Sequence, residues 1–319
     1  MTLPDLPGIE DLPPHTSTWM TWRVDAGLAE PLHIDAYVCR GAQLQPLALV
    51  TAGVHGDEYE GPAAIAALAR RLDPQTLAGS VIAVPVVNPM AFAAAQRLSP
   101  DGGNLARTFP GVAGGSPTER LAAWFFEGVA RCASYMIDLH SGGTDYCFLP
   151  LVGFYGAPVS GNPCFNAARR FGLEYLWQLP ETPGVLSCEG WKLGITAIGT
   201  EYLGAAQLST AGVAAYTKGV LSCLAAWGIA QPGFLMEPRG HAFQGDWQLA
   251  AATGVFQAQC ALGDSVKRGD VLADISDVRG RVLQRFTSST AGIVLGLRSK
   301  AWIRETDWGV LTGTPATNE

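Results

Sequence analysis

The chain has 319 residues, of which 48% are hydrophobic and 15% charged, and its formal net charge is −7. At roughly 150 residues per domain, this length suggests about two domains with enough apolar material for packed cores, which excludes a disordered chain. No run of Lys and Arg is longer than two residues, so the sequence lacks the concentrated positive charge that nucleic acids attract. We therefore expect no nucleic-acid partner.

The first 14 residues have neither a positively charged start nor an apolar stretch, which argues against a secretory signal. Every apolar stretch is interrupted by Gly, Pro or a charge before it reaches the roughly 20 residues needed to cross a membrane. We expect a cytoplasmic protein without a membrane partner. The seven cysteines form no CxxC pair, and we expect them to be reduced, small and mostly buried.

Apolar β-branched runs alternate with helical patterns from residue 34 to about 230, which is typical of an α/β fold. The predicted strands are 47–53, 80–87, 135–140 and 194–201, and the predicted helices are 58–72, 116–131, 162–172 and 209–228. Ser116-Pro117-Thr118-Glu119 has the sequence of a helix capping box with proline at the first helical position. Such alternation predicts a mostly parallel sheet with helices on both faces, and ligands bind such sheets at the carboxyl ends of the strands.

The pattern changes after about Pro238. Helical periods disappear, and short apolar segments are separated by Gly and Asp, as in GDSVKRGDVLADI and AGIVLGLR. This is typical of a small all-β domain. We therefore predict a catalytic domain over residues 1–237 and a C-terminal β domain over residues 238–319.

Three side chains at predicted strand ends form a candidate metal site. His55 and Glu58 lie three positions apart where the strand 47–53 gives way to a helix, and His140 ends the strand 135–140 just before two glycines that would leave open space. Two His and one carboxylate with a fourth position free are the ligands of a catalytic zinc. We therefore predict one Zn²⁺ per chain.

A structural reading of the same residues stays open. The HxxE spacing is often met by chance, so His55 and Glu58 could simply cap the helix while His140 is an ordinary half-buried histidine. Asp138, two residues before His140, fits either a hydrogen-bond acceptor behind the site or a salt bridge. Glu201, at the end of the strand 194–201, fits the general base that metal-assisted hydrolysis requires, or else an ordinary salt-bridged Glu.

Several spaced segments carry a family resemblance. In chain order they are AGVHGDE, Asn88-Pro89, RLSPDGGNLARTFPG, IDLHSGG and TEYLG. Together they resemble the succinylglutamate desuccinylase/aspartoacylase family, relatives of the zinc carboxypeptidases. The resemblance covers most of the chain, and it implies a zinc-carboxypeptidase-like fold and hydrolysis of the amide bond of a small N-acyl amino acid.

The resemblance also implies a role for each site residue. His55, Glu58 and His140 would bind zinc, and Glu201 would be the general acid and base. Two arginines of the loop 97–111 would bind the substrate: Arg97 would polarise the scissile carbonyl, and Arg107 would hold a carboxylate.

One position departs from the family pattern. Members often have NLNR where this chain has Asn104-Leu105-Ala106-Arg107, so an amide that commonly accompanies the carboxylate-binding arginine is absent. Asn104 is the residue that could substitute for it. We therefore predict Asn104 to be a further substrate-binding residue.

The C-terminal segment resembles the barrel-sandwich fold of biotinyl and lipoyl carriers. A carrier needs a modifiable lysine at the tip of its hairpin, and the predicted tip, residues 276–280, has none. We expect this domain to be structural, shaping the site entrance or an oligomer contact, which leaves a homo-oligomer open. Two alternatives to a deacylase remain: a zinc carboxypeptidase acting on peptide C-termini, and a carrier or binding module without turnover.

Overall fold

The computed structural model describes residues 8–316. Within that range the backbone forms sixteen strands and six α-helices. The strands are β1 (Thr16–Val24), β2 (Leu32–Arg40), β3 (Leu47–Ala52), β4 (Ser80–Val84), β5 (Tyr135–Leu139), β6 (Tyr146–Phe154), β7 (Tyr175–Gln178), β8 (Thr196–Gly204), β9 (His241–Leu249), β10 (Gly254–Ala258), β11 (Ser265–Val266), β12 (Val271–Ser276), β13 (Val282–Thr287), β14 (Gly292–Arg298), β15 (Trp302–Ile303) and β16 (Trp308–Pro315). The helices are α1 (Glu60–Ala69), α2 (Pro89–Ala93), α3 (Pro117–Gly128), α4 (Pro163–Phe171), α5 (Leu186–Lys192) and α6 (Thr210–Ala226).

Twelve of these strands form one large sheet in the order β1-β2-β4-β3-β5-β8-β6-β7-β9-β16-β14-β11. The central strands β4, β3, β5 and β8 are parallel, and so are the pairs β6–β7 and β7–β9. The remaining pairings of the sheet are antiparallel. The sheet is therefore mixed, and the prediction of a mostly parallel sheet is not confirmed beyond its centre.

Apolar cores lie on both faces of the central strands. Residues of α1, α4 and α6 pack on one face, where Phe171 and Tyr216 are fully buried. Residues of α3 and α5 pack on the other face, around the buried Phe125. The strands β3 and β4 are buried on both sides, which explains why their sequences are mostly apolar without alternation. The prediction of an α/β fold with helices on both faces is confirmed.

The C-terminal region adds a second sheet, in the order β13-β12-β10-β15. It encloses a separate apolar core that includes Phe256 and Phe286. The large sheet continues into this region, because β9 pairs with β7 and β14 pairs with β6. The region is β-rich as predicted, while the boundary between residues 237 and 238 stays a prediction.

The predicted strands and helices of residues 47–228 are all present, with ends that differ by a few residues. The capping box is formed: the Ser116 hydroxyl accepts from the backbone of Glu119, whose carboxylate accepts from the backbone of Ser116. No range was predicted for the strands β1, β2, β6, β7 and β9 or for the helices α2 and α5. No helix within residues 8–316 is long and apolar enough to span a membrane. The amino-terminal stretch considered for a secretory signal lies partly outside the described residues.

Candidate metal centre and active site

His55 and Glu58 lie in the loop that joins β3 to α1. The sequence predicted a helix from residue 58, but α1 begins at Glu60, so this pair does not share a helical face. Gly56 holds the loop by donating its N–H to the carbonyl of Gln96, 2.9 Å away. The loop geometry therefore fixes the position of both side chains.

His140 follows β5, the parallel neighbour of β3. Its N–H donates to the carbonyl of Thr200 on β8 at 3.2 Å, and its own carbonyl accepts from the hydroxyl of Tyr216 at 2.5 Å. Adjacent parallel strands end at the same edge of the sheet. This topology brings His140 to the loop that contains His55 and Glu58.

The three side chains form a compact group of possible metal ligands. The Nδ1 atom of His55 lies 2.7 Å from Oε1 of Glu58, and the Nδ1 atom of His140 lies 2.9 Å from its Oε2. One nitrogen or oxygen of each residue lies within 4.8 Å of the others, and this group could hold a metal ion. His55 and Glu58 are buried, and His140 is nearly so.

In each imidazole, Nδ1 lies beside Glu58 and Nε2 lies beside another hydrogen-bond acceptor. Nε2 of His140 lies 3.0 Å from Oδ2 of Asp138, whose other oxygen accepts from the hydroxyl of Thr51 at 2.7 Å. Nε2 of His55 lies 3.2 Å from Oδ1 of Asn104. An acceptor at one imidazole nitrogen places the proton there and leaves the other nitrogen free to bind a metal. In both rings Nδ1 is therefore the nitrogen available to a metal ion.

The electrostatics of the group favour a cation. Burial raises the pKa of Glu58, but the two histidines outweigh that effect and hold the pKa well below its usual range. Burial and the positive charge of Arg97 lower the pKa of His55 to about 4. Burial also disfavours charge on His140, yet the carboxylates of Asp138 and Glu58 raise its pKa well above the usual range. Glu58 is thus ionised beside a neutral His55, as a metal site requires.

Glu201 lies on β8, next to the strand that leads to His140, and its backbone pairs with Leu151 of β6. Its Oε2 atom is buried and has no hydrogen-bond partner within residues 8–316. Burial and the negative charge of Glu58 raise the pKa of Glu201 to about 8. A buried carboxyl with an unpaired oxygen and a pKa near neutrality is suited to accept and return a proton.

The two arginines differ in their partners. Nη1 of Arg97 lies 3.3 Å from Oε1 of Glu58, and the loop of Arg97 is tied down by the Asn88 amide, which donates to the hydroxyl of Ser99 at 2.9 Å. Arg107 is exposed, and within residues 8–316 it has no carboxylate partner; its guanidinium donates to the carbonyl of Ala106. Arg107 is thus free to bind an anion.

Asn104 lies beside His55 and lines a smaller cavity together with Arg97 and Arg107. Its Oδ1 atom accepts from the N–H of Ala106 at 3.1 Å and faces Nε2 of His55. These contacts make Asn104 a residue that orients a metal-binding side chain. Its predicted role in substrate binding stays a prediction, and these contacts lend it no support.

The two glycines after His140 do not provide open space, contrary to the expectation from the sequence. A Cβ atom on Gly142 would lie 2.2 Å from the carbonyl oxygen of Tyr146. Gly143 has φ +56°, and a Cβ there would lie 2.7 Å from Oδ2 of Asp57. Both glycines allow a close approach of the backbone that no other residue permits.

A cavity of about 220 Å³ opens beside these residues. His55, His140 and Glu201 line one part of it, together with both arginines. Much of the rest of the wall is apolar and aromatic, with contributions from Phe148 and Trp177 and, from the C-terminal region, Trp247 and Trp308. Polar side chains also line it: Asp138, Ser141, Tyr146, Tyr155, Thr182, Ser187 and Thr200. These aromatic residues were not predicted from the sequence as part of the site, although the C-terminal region was expected to shape the entrance or an oligomer contact.

A buried His-Glu-His group, a carboxylate with an unpaired oxygen, two arginines and an adjoining cavity define a candidate metal-assisted hydrolytic site. Residues 45–227 match the family model described as the succinylglutamate desuccinylase/aspartoacylase catalytic domain. The chain therefore belongs to the succinylglutamate desuccinylase/aspartoacylase family, and the resemblance stated from the sequence is confirmed.

Individual relatives agree with this membership. The chain is 32% identical over 244 residues to the N-alpha-acetyl-L-2,4-diaminobutyric acid deacetylase of Halomonas elongata, covering 73% of this chain and 71% of the relative. The product-bound structure of the ectoine utilization protein EutE (DoeB) from Ruegeria pomeroyi has a TM-score of 0.84 at 27% identity, covering 95% and 97% of the two chains. A succinylglutamate desuccinylase structure from Silicibacter sp. TM1040 has a TM-score of 0.83 at 26% identity, with the same coverage.

Proposed function

We propose that this protein is a zinc-dependent deacylase that hydrolyses the amide bond of a small N-acyl amino acid. The observation that carries the proposal is the unpaired, buried Oε2 of Glu201 beside the His55, Glu58 and His140 group. The relatives support it, because one is named as a deacetylase of an N-acetylated amino acid. The proposed fold relation to zinc carboxypeptidases is consistent with this chemistry.

The residues present fit a zinc ion. Two imidazole Nδ1 atoms and one ionised carboxylate converge, and acceptors on the opposite side orient both rings. His55, Glu58 and His140 would hold the ion, with one ion per chain. When bound, Zn²⁺ would supply Lewis acidity, which lowers the pKa of water and polarises a carbonyl oxygen.

The side chains of the chain account for the proton transfers. Glu201, through its unpaired Oε2, takes a proton from the attacking water and returns it to the nitrogen of the leaving amine. Arg97 donates a hydrogen bond to the carbonyl oxygen, on which negative charge develops during the attack. Arg107, which has no carboxylate partner within the described residues, binds the carboxylate of the amino acid. The products are a carboxylic acid and a free amino acid.

A deacylation screen tests this proposal. The purified protein, stripped of metal and reloaded with Zn²⁺, is incubated with acetyl, succinyl and formyl amino acids and, in parallel, with blocked dipeptides. We expect amine release from at least one N-acyl amino acid and none after metal removal, with Glu201→Gln as the inactive control. Cleavage of the dipeptides alone would identify a carboxypeptidase. Stoichiometric zinc without turnover of any compound would refute the deacylase.

A further inference from the structure

Most residues that line the cavity are uncharged. Leu151, Leu179 and Val185 contribute aliphatic surface, and Phe148 and Trp177 contribute rings. A cavity of about 150 Å³ lined by such groups already binds benzene, and this one has about 220 Å³. That volume includes the part beside His55, His140 and Glu201, so the cavity accommodates one ring when the rest of the substrate is small.

Of the carboxylates in the cavity wall, only Glu201 has an unpaired oxygen, and the proposed reaction uses that oxygen for proton transfer. Asp138 and Glu201 are the acidic residues among those that line it. Both oxygens of Asp138 are already bound, one by the Thr51 hydroxyl and one by His140. Glu201 belongs to the proposed catalytic group, and burying an unpaired ammonium beside the apolar wall would cost several kcal/mol.

The aromatic rings at the rim do not form a cation-binding cage either. One face of Trp308 is stacked on Trp247, with ring centroids 4.9 Å apart, and the guanidinium of Arg107 lies 5.7 Å from the Trp308 ring. Arg97 and Arg298 lie 5.7 and 5.8 Å from the ring of Tyr146. The protein's own guanidinium groups already occupy these positions, and they would repel a cationic side chain.

An additional negative charge on the substrate is also poorly matched. Arg97 and Arg107 are the arginines of the cavity wall, and no lysine lines it. In the proposed reaction one arginine serves the carbonyl oxygen and the other the carboxylate of the amino acid. A second carboxylate, in the acyl group or the side chain, would have no cation left to pair with.

We propose that the site selects N-acyl amino acids that carry an uncharged apolar group of about ring size, in the acyl group or in the side chain. This inference rests on the proposed deacylase function and names its substrate class. It differs from the substrate named for the Halomonas relative, which carries a second amino group.

Steady-state kinetics of the zinc-loaded enzyme test the inference. N-acetyl-L-phenylalanine places a ring in the side chain, and N-benzoylglycine places it in the acyl group. N-acetyl-L-alanine, N-acetyl-L-aspartate and Nα-acetyl-L-2,4-diaminobutyrate are the small, anionic and cationic comparisons. We expect kcat/KM for one of the ring-bearing compounds to exceed that for both charged compounds by at least about tenfold. Equal or higher kcat/KM for a charged compound would overturn the inference.

A variant that fills the cavity gives a second test, and the same substitution at an exposed position is its matched control. Val185→Phe places a ring in the cavity wall, whereas Leu193→Phe adds the same ring at the end of α5, where residue 193 is 53% exposed. We expect Val185→Phe to lower kcat/KM more for the preferred ring-bearing compound than for N-acetyl-L-alanine. Leu193→Phe should leave their ratio unchanged. An unchanged ratio in Val185→Phe would contradict the assignment.

Binding separates failure of this inference from failure of the deacylase proposal. Glu201→Gln keeps the cavity wall, so the same five compounds can be titrated calorimetrically without turnover. Tighter binding of a ring-bearing compound without hydrolysis by the unmodified enzyme would support the selectivity and refute the deacylase. Hydrolysis with a preference for charged compounds would support the deacylase and refute the selectivity. Neither binding nor hydrolysis of any compound would refute both.

Discussion

The raised pKa of Glu201 should be measurable as a pH dependence of the free energy of unfolding of the metal-free protein. Burial and the charge of Glu58 raise its pKa from the ordinary 4.5 to about 8. The folded protein therefore binds the proton more tightly than the unfolded chain does. The contribution of Glu201 to stability is fully present below pH 4.5 and is lost as pH rises through about 8.

The size of the effect follows from the same values. At about 1.4 kcal/mol per pH unit, a rise from 4.5 to about 8 corresponds to at most about 5 kcal/mol. Part of the side chain is accessible to solvent, so we expect roughly half of that limit between pH 5 and pH 8. Glu201→Gln cannot ionise and should lack this loss of stability altogether.

Urea unfolding at pH 5 and pH 8 after chelation of metal measures the effect. Other groups also titrate in this range, so the observable is the difference between the unmodified protein and Glu201→Gln. The exposed Glu174→Gln is the matched control and should follow the unmodified protein. Parallel changes in unmodified protein and Glu201→Gln would show that Glu201 is solvated and not held in a proton-accepting environment. Added zinc should reduce the effect, because a nearby cation lowers the pKa of a carboxyl.

Three further predictions concern individual side chains. His140→Ala should abolish stoichiometric zinc in metal analysis. Glu201→Gln should keep zinc and lose roughly 10²-fold to 10⁴-fold in activity. Loss of zinc from Glu201→Gln would show that Glu201 is a ligand. Arg107→Ala should mainly raise KM, while Arg97→Ala should lower kcat by roughly 10²-fold to 10³-fold. If KM is unchanged in Arg107→Ala and an amidated substrate is cleaved equally well, Arg107 does not bind the substrate carboxylate. Asp138→Asn should weaken zinc binding by roughly 10-fold to 100-fold in chelator competition; unchanged affinity would show that Asp138 does not orient His140.

Local patterns were sufficient to predict the central part of the fold. The strands 47–52, 80–84 and 135–139 are continuous apolar runs because helices cover both of their faces. Parallel neighbouring strands end at the same edge of a sheet. This rule predicts that His55, Glu58 and His140 come together. The edge strand β1 was missed, although its burial alternates along TSTWMTWRV, because alternation over a half-exposed strand is a weaker signal than an apolar run.

The contacts that orient the metal-binding residues were predictable only in part. Asp138 lies two positions before His140 in the predicted strand 135–140, and that spacing predicted both side chains on one face. Asn104 lies 49 positions from His55, in a loop whose path is set by tertiary contacts such as that between Asn88 and Ser99. No sequence spacing encodes that approach. The substrate role predicted for Asn104 came from family resemblance alone.

Different parts of the sequence therefore determine the proposed reaction and the proposed substrate selectivity. The proposed ligands follow the ends of β3 and β5, and the proposed proton acceptor Glu201 lies on β8, the parallel neighbour of β5. The apolar wall combines Phe148 of β6 and Trp177 of β7 with Trp247 of β9 and Trp308 of β16. Substitutions on those strands can change which group fits the cavity without disturbing the hydrolytic residues. Similarity over the catalytic segments thus supports a shared reaction, while the substrate has to be inferred from the wall that each chain builds around it.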